Sequence, residues 1–181
     1  TPNINRMSRV EAEITKIGLN CFLTTKISFA NMIGDIVSFS GGDPNKVLSA
    51  IGSDSRIGSK YLGYGYGYGG PCFPRDNRAL AIYANDIGVT ALISEASDKS
   101  NEQHLEYQVQ LFKQDNSIDK PVEFDYVSYK PQSTMLIESQ QLLFAKSLVD
   151  EGYTVILNER DSVIQQVKET YGDIFEYRRR D

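Results

Sequence analysis

"PVEFDYVSY" (residues 121–129), "MLIESQQLLFAKSLVDEG" (135–152) and "YTVILNE" (153–159) follow one another with short connections. The outer two are of strand length and rich in β-branched and aromatic residues; the middle one has helical length and closes on Gly152. "DSVIQQVKETYG" (161–172) reads as another helix and "DIFEYRRR" (173–180) as a third strand. Strands and helices alternating at this spacing imply parallel strands joined by crossover helices. Residues 116–181 are therefore expected to form a small or truncated α/β domain with a Rossmann-like parallel sheet.

Upstream of residue 118 the period is helical. Val10, Ile14, Ile17 and Cys21, and then Ile27, Met32 and Ile36, recur at three-to-five-residue spacing within each group, which predicts a helix over roughly 8–39, stopped by Gly41-Gly42. Asp43-Pro44 supplies a cap and a first helical proline for "PNKVLSAIG" (44–52). "DNRALAIYANDIG" (76–88) ends on a capping glycine, and residues 89–115 read as one or two more helices. Residues 1–115 are thus expected to be mainly α, with one long irregular loop.

A chain of 181 residues, 40% hydrophobic and 24% charged, has ordinary globular composition and can bury a real core. Its net charge of −5 argues against a nucleic-acid or anionic-membrane partner. No apolar run approaches membrane-spanning length, and the start lacks a signal-peptide pattern. Two cysteines fit a reducing compartment, hence an expected cytoplasmic location. The one histidine, His104, lies in "SNEQHLEYQ" and reads as a surface or helix-packing residue; no metal site is expected.

The irregular loop, "YLGYGYGYGGPCFPRDN" (61–77), holds the chemistry. Its alternate glycines permit close backbone approach to a ligand, and its tyrosines offer flat faces and hydroxyls. Pro71 and Pro74 flank Cys72, Arg75 brings a positive charge near the thiol, and Asp76 is either a helix cap or a catalytic carboxylate. The plainer readings are a flexible Gly/Tyr linker and a small core cysteine. Neither the G-x-G pairs here nor "GSDSRIGSK" (52–60) has the strand–helix context or spacing of a nucleotide loop.

"GYGGPCFPRD" (67–76) resembles the signature of the UDP-glucose/GDP-mannose dehydrogenases, which carries their catalytic cysteine. "EITKIGLNCFLTTKISFAN" (13–31) resembles the family's helix bearing a lysine and an asparagine at i, i+4, here Lys16 and Asn20. "SRIGSKYL" (55–62) and "YVSYKPQSTMLIES" (126–139) match two further segments in order, with Arg56 standing 16 positions before Cys72. The resemblance implies a helical central domain that dimerises, followed by the start of a domain that binds the uridine nucleotide. It also implies a missing N-terminal NAD-binding Rossmann domain, so that this chain is a piece of a longer enzyme, inactive alone.

The implied activity is NAD-dependent oxidation of UDP-glucose to UDP-glucuronate in two steps, through a thiohemiacetal and a thioester. Cys72 would be the nucleophile, Lys16 and Asn20 would steady the sugar oxygen, and Asp76 would position or activate water. Tyr61, Gly67, Tyr68, Gly69, Tyr129 and Lys130 would meet substrate. Arg56 would reach it from the neighbouring subunit of a homodimer, and Arg75 is the candidate contact to NAD. This chain departs from the family in placing Arg75 where lysine is usual, and Thr134, Met135 and Ile137 where an acidic pair and an arginine are usual. These departures motivate the alternative, a non-catalytic module that kept the fold and dimer; a structural Gly/Tyr adhesive stands third.

Overall fold

The computed structural model of the chain describes residues 4–180; the outermost residues of the two expected domains, 1–3 and 181, lie outside it. Helix α1 (Arg9–Phe39) opens on a capping box: the Ser8 hydroxyl accepts from the Glu11 N–H, and the Glu11 carboxylate accepts from the Ser8 N–H. It ends where Gly41 turns to positive φ. Helix α2 (Pro44–Gly52) starts on Asp43, whose carboxylate accepts from the N–H groups of Asn45 and Lys46.

Helix α3 (Phe73–Asp86) begins three residues before the predicted start, with Cys72 at its amino end and Pro74 in its first turn. Asp76 is therefore not the cap; it lies inside the first turn. Helix α4 (Leu92–Asp115) is one continuous helix where the sequence allowed one or two.

Strands β1 (Val122–Phe124), β2 (Val155–Glu159) and β3 (Glu176–Arg179) form one parallel sheet in sequence order, with Val122 opposite Val155 and Ile156 opposite Glu176. Helices α5 (Gln140–Asp150) and α6 (Asp161–Tyr171) make the crossovers. Both bury side chains in one cluster with Val155 and Leu157, so both lie on the same face of the sheet. On the opposite face Arg178 of β3 reaches across β2 to Glu123 at 2.7 Å, and Ile156 is buried.

β1 is shorter and α5 starts later than the periodicity predicts, because residues 125–139 are occupied elsewhere. Ser139 caps α5 and donates to the Val127 carbonyl, while Ile137 accepts from the Gly70 N–H at 2.9 Å. This segment is thereby laid against the Gly/Tyr loop. The two halves are also joined through α4, whose Val109 and Phe112 enter the α/β core; Phe112 packs edge-on to Phe144 and Tyr153.

Candidate active site

Asp76 is 3% exposed, and its carboxylate collects three donors. Lys16 forms an ion pair with Oδ2, Asn20 Nδ2 donates to the same oxygen at 2.6 Å, and Arg75 donates to Oδ1 at 3.1 and 3.2 Å. Lys16 and Asn20 reach it together because they sit one turn apart on α1. Burial by itself pushes this carboxyl up, but the hydrogen bonds from Lys16, Asn20 and Arg75 outweigh it and hold the group below the usual carboxylate range.

Cys72 is exposed and precedes Asp76 by one helical turn, with the Asp76 N–H donating to the Cys72 carbonyl at 2.9 Å. The thiol stands at the amino end of α3, where free backbone N–H groups make the local field positive. Cys21 is its opposite: it is buried, its thiol donates to the Asp76 carbonyl at 3.6 Å, and burial pushes that thiol up. The ammonium and the buried carboxylate thus meet at the junction of α1 and α3, and the accessible Cys72 lies one helical turn before that carboxylate in the chain.

The loop residues are placed in different ways. Tyr61 is half-exposed in the left-handed region, φ 59°, with its ring edge-on to Phe73. Tyr68 is buried: Asn101 bonds its N–H and its carbonyl at 2.9 and 3.0 Å, and its hydroxyl donates to Asp98 at 2.6 Å and accepts from Asn77 at 2.9 Å. Burial and the Asp98 carboxylate push its phenol far up. It lines a cavity of about 630 Å³ beside Arg78, Asp98 and Glu138, which does not include Cys72, Lys16 or Asn20.

The glycines at 67, 69 and 70 admit neighbouring protein atoms. A Cβ at Gly67 would stand 2.4 Å from Asn101 Oδ1, one at Gly69 2.1 Å from the Glu138 carbonyl oxygen, and one at Gly70 2.5 Å from the Tyr129 ring. Tyr129 therefore abuts the loop two residues before Cys72, and Lys130 lies over its ring at 5.3 Å. Arg56 stands apart; its side chain is exposed and bonded to Asp54, at 2.6 Å for the shortest contact.

Sequence reasoning did not single out Asn31, Asp35, Asn77, Asp98 or Asn101, all of which brace the loop and α3. A signal existed. Thr24, Ser28, Asn31 and Asp35 recur at helical spacing on α1, as do Ser94, Ser97, Asn101 and His104 on α4, and both polar stripes are buried.

The model of the UDP-glucose/GDP-mannose dehydrogenase family, central domain, matches residues 10–103. The chain is 35% identical to UDP-glucose 6-dehydrogenase AglM of Haloferax volcanii over 86% of its own length and 36% of that protein. It is 46% identical to UDP-glucose 6-dehydrogenase TuaD of Bacillus subtilis over 50% of its length and 20% of that protein. Its fold superposes on a UDP-glucose dehydrogenase from Pyrobaculum islandicum with TM-score 0.83 and 32% identity, covering 97% of this chain and 40% of that one. The chain spans about a third of the length of the first two curated relatives, at 36% and 34%. It belongs to the UDP-glucose/GDP-mannose dehydrogenase family.

Proposed function

We propose that the chain supplies the sugar-and-thiol side of a nucleotide-sugar dehydrogenase that converts UDP-glucose to UDP-glucuronate. The observation that carries this reading is the Lys16–Asn20–Asp76 group set one turn from an exposed Cys72. In it the Cys72 sulfur adds to the aldehyde left by the first two-electron oxidation of the C6 alcohol, forming a thiohemiacetal. Lys16 and Asn20 meet the developing oxyanion as preorganised donors. After oxidation to the thioester, water attacks the acyl carbon, the C–S bond breaks, and the thiol is released with the carboxylate. Asp76, buried and with both oxygens taken by donors, anchors Lys16 and Asn20 and does not itself remove the water's proton.

The hydride acceptor of such oxidations is NAD, and the described residues do not fit it. The Gly/Tyr run lies between two helices instead of opening one after a strand, its later glycines are filled by protein atoms, and Arg75 is committed to Asp76. In this reading the dinucleotide binds a domain beyond this chain. The uridine diphosphate is assigned to the carboxyl ends of the parallel strands. There a cavity of about 500 Å³ is lined by Tyr126, Ser128, Gln132, Arg160 and Arg180 together with Asp125 and Glu159, the Glu159 carboxylate being occupied by the Val127 and Arg160 N–H groups; this is the usual ligand position in open α/β sheets. Tyr61, Tyr129 and Lys130 meet the sugar near Cys72, and Arg56 serves a neighbouring subunit.

A homodimer through the helical half belongs to the same reading. Leu19, Phe22, Met32, Ile36 and Phe39 of α1 are exposed, and a groove of about 600 Å³ lies between α1 and α4 beside Met32, Ile36, Phe39 and Tyr107. So does a reducing, cytoplasmic setting, in which both thiols stay free; no described helix is long and apolar enough to cross a membrane.

The test is Cys72→Ser in the longest natural form of the protein, assayed with UDP-glucose and NAD. Loss of the uronic acid is expected, and its full production would remove Cys72 from the mechanism. The loop's Met135 and Ile137, at positions where the family usually has charged residues, favour the second reading, a non-catalytic module; it predicts no NADH with any nucleotide sugar from the unmutated protein.

A further inference from the structure

The single histidine has no part in the reading above, yet His104 is 2% exposed and Asp35 beside it 4%. His104 Nδ1 lies 2.8 and 3.0 Å from the two Asp35 oxygens, and Nε2 lies 2.7 Å from the Gly65 carbonyl oxygen. A carbonyl oxygen only accepts, so Nε2 carries a hydrogen. At Nδ1 a lone pair would face a carboxylate, so a second proton lies between Nδ1 and Asp35, whichever atom holds it.

The same stretch of loop is gripped on every side. The Gly65 carbonyl also accepts from Gln108 Nε2 at 3.2 Å, the Gly65 N–H donates to Asn31 Oδ1 at 3.1 Å, and Asn31 Nδ2 donates to the Tyr66 carbonyl at 3.4 Å. Tyr64 donates to Asp35 at 2.9 Å, and its ring lies 2.0 Å from where a Gly34 Cβ would stand. Side chains of α1 and α4 thus treat the loop backbone as neighbouring strands treat a strand. The groups facing the pair are Tyr64 and Gly65 from the loop, Asp35's own helix, and Gln108 from α4.

We propose that Asp35 and His104 form a proton-sharing clamp that positions the Tyr64–Tyr68 segment, with His104 Nε2–H as its grip on the Gly65 carbonyl. His104 is a positioning residue: it touches neither Cys72 nor Asp76. Asp35 matters because the partner of one ring nitrogen sets the state of the other. Without an acceptor at Nδ1, the ring is free to turn a bare Nε2 toward the carbonyl. The loop's part in catalysis rests on the proposed function; the clamp does not, and its test reads the chain itself.

In His104→Gln the side-chain amide N–H faces Gly65 and its oxygen meets the Asp35 carboxylate, an acceptor against an acceptor. Asp35→Asn combined with His104→Gln repairs this with an amide N–H facing an amide oxygen. Backbone amide exchange across Tyr64–Tyr68 is expected to accelerate on the order of 10²-fold or more in His104→Gln. The double variant is expected to return to within about tenfold of the parent. A double variant no better than His104→Gln overturns the clamp. If His104→Gln does not fold, ¹⁵N-histidine NMR of the unmutated chain decides, since only one imidazole is present. A slowly exchanging Nε2–H is expected, and an unprotonated Nε2 overturns the proposal. A clamp that passes while Cys72→Ser still makes the acid would sink the proposed function alone.

Discussion

In the α/β half, Leu142, Leu148, Val155, Leu157, Val163 and Val167 fill one apolar core; in the helical half, the inward stripe of α1 is Thr24, Ser28, Asn31 and Asp35. The compact apolar cluster of the helical half is Ala30, Leu48 and Leu62, with Ile33, Ile51 and Tyr64 against it. Cohesion there comes from hydrogen bonds between helices and loop, such as Ser28 Oγ to the Ser97 carbonyl at 2.9 Å and Thr24 Oγ1 to Asn77 Oδ1 at 2.9 Å. An apolar core is non-directional and tolerates small shifts. A buried polar network holds only in one geometry, because each unpaired group is costly. The half that positions Lys16, Asn20, Cys72 and Asp76 is the half built on directional contacts.

The comparison breaks first in the apolar core. Leu148→Ala is expected to cost about 2–5 kcal/mol, the range for a fully buried leucine, read from the urea midpoint. If it costs under ~1 kcal/mol, the α/β cluster is not the cohesive unit described. Asn101→Leu should cost about 1–3 kcal/mol for each group it strands, since the Tyr68 N–H and carbonyl both lose their partner. An unchanged midpoint there would show that the loop does not depend on its polar clamp.

A third measurement uses acid. The folded Asp76 carboxyl lies below its unfolded value of about 3.9. Its contribution is therefore fully present above about pH 4 and lost as pH falls through the lower, folded value. Urea midpoints followed from pH 5 downward should show a steeper acid loss in the parent than in Asp76→Asn. Equal slopes would place the acid sensitivity elsewhere. The smallest effect on the folded protomer is expected at Phe22, 66% exposed on α1. Phe22→Ser should leave its stability within about 0.5 kcal/mol while weakening self-association in sedimentation. A chain monomeric before the substitution would sink the proposed dimer face.

Much of this is legible in the sequence. The strand–helix alternation after residue 118 announced the parallel sheet, and α2 runs over the predicted residues because Asp43, Pro44 and Gly52 act on their immediate neighbours. The i, i+4 pair of Lys16 and Asn20 was readable as a shared face, and both reach Asp76. The face that α1 turns inward was not readable: its apolar stripe is regular, yet Val10, Ile14, Met32 and Ile36 are exposed. Periodicity shows that a helix has two faces and is silent on which one finds a partner within the chain.

By itself the sequence determined the elements, their order and the inventory of reactive groups, because caps, turns and periods act over a few residues. The tertiary structure alone decided what those groups do. Asp76 became a saturated anchor through residues 56 and 60 positions away, and His104 met Asp35 across 69. Three loop glycines that suggested room for a ligand proved to be room for Asn101, Glu138 and Tyr129. The physical reason is common to all three. A side chain's charge, burial and neighbours are set by which distant segment packs against it, and local sequence carries no record of that choice.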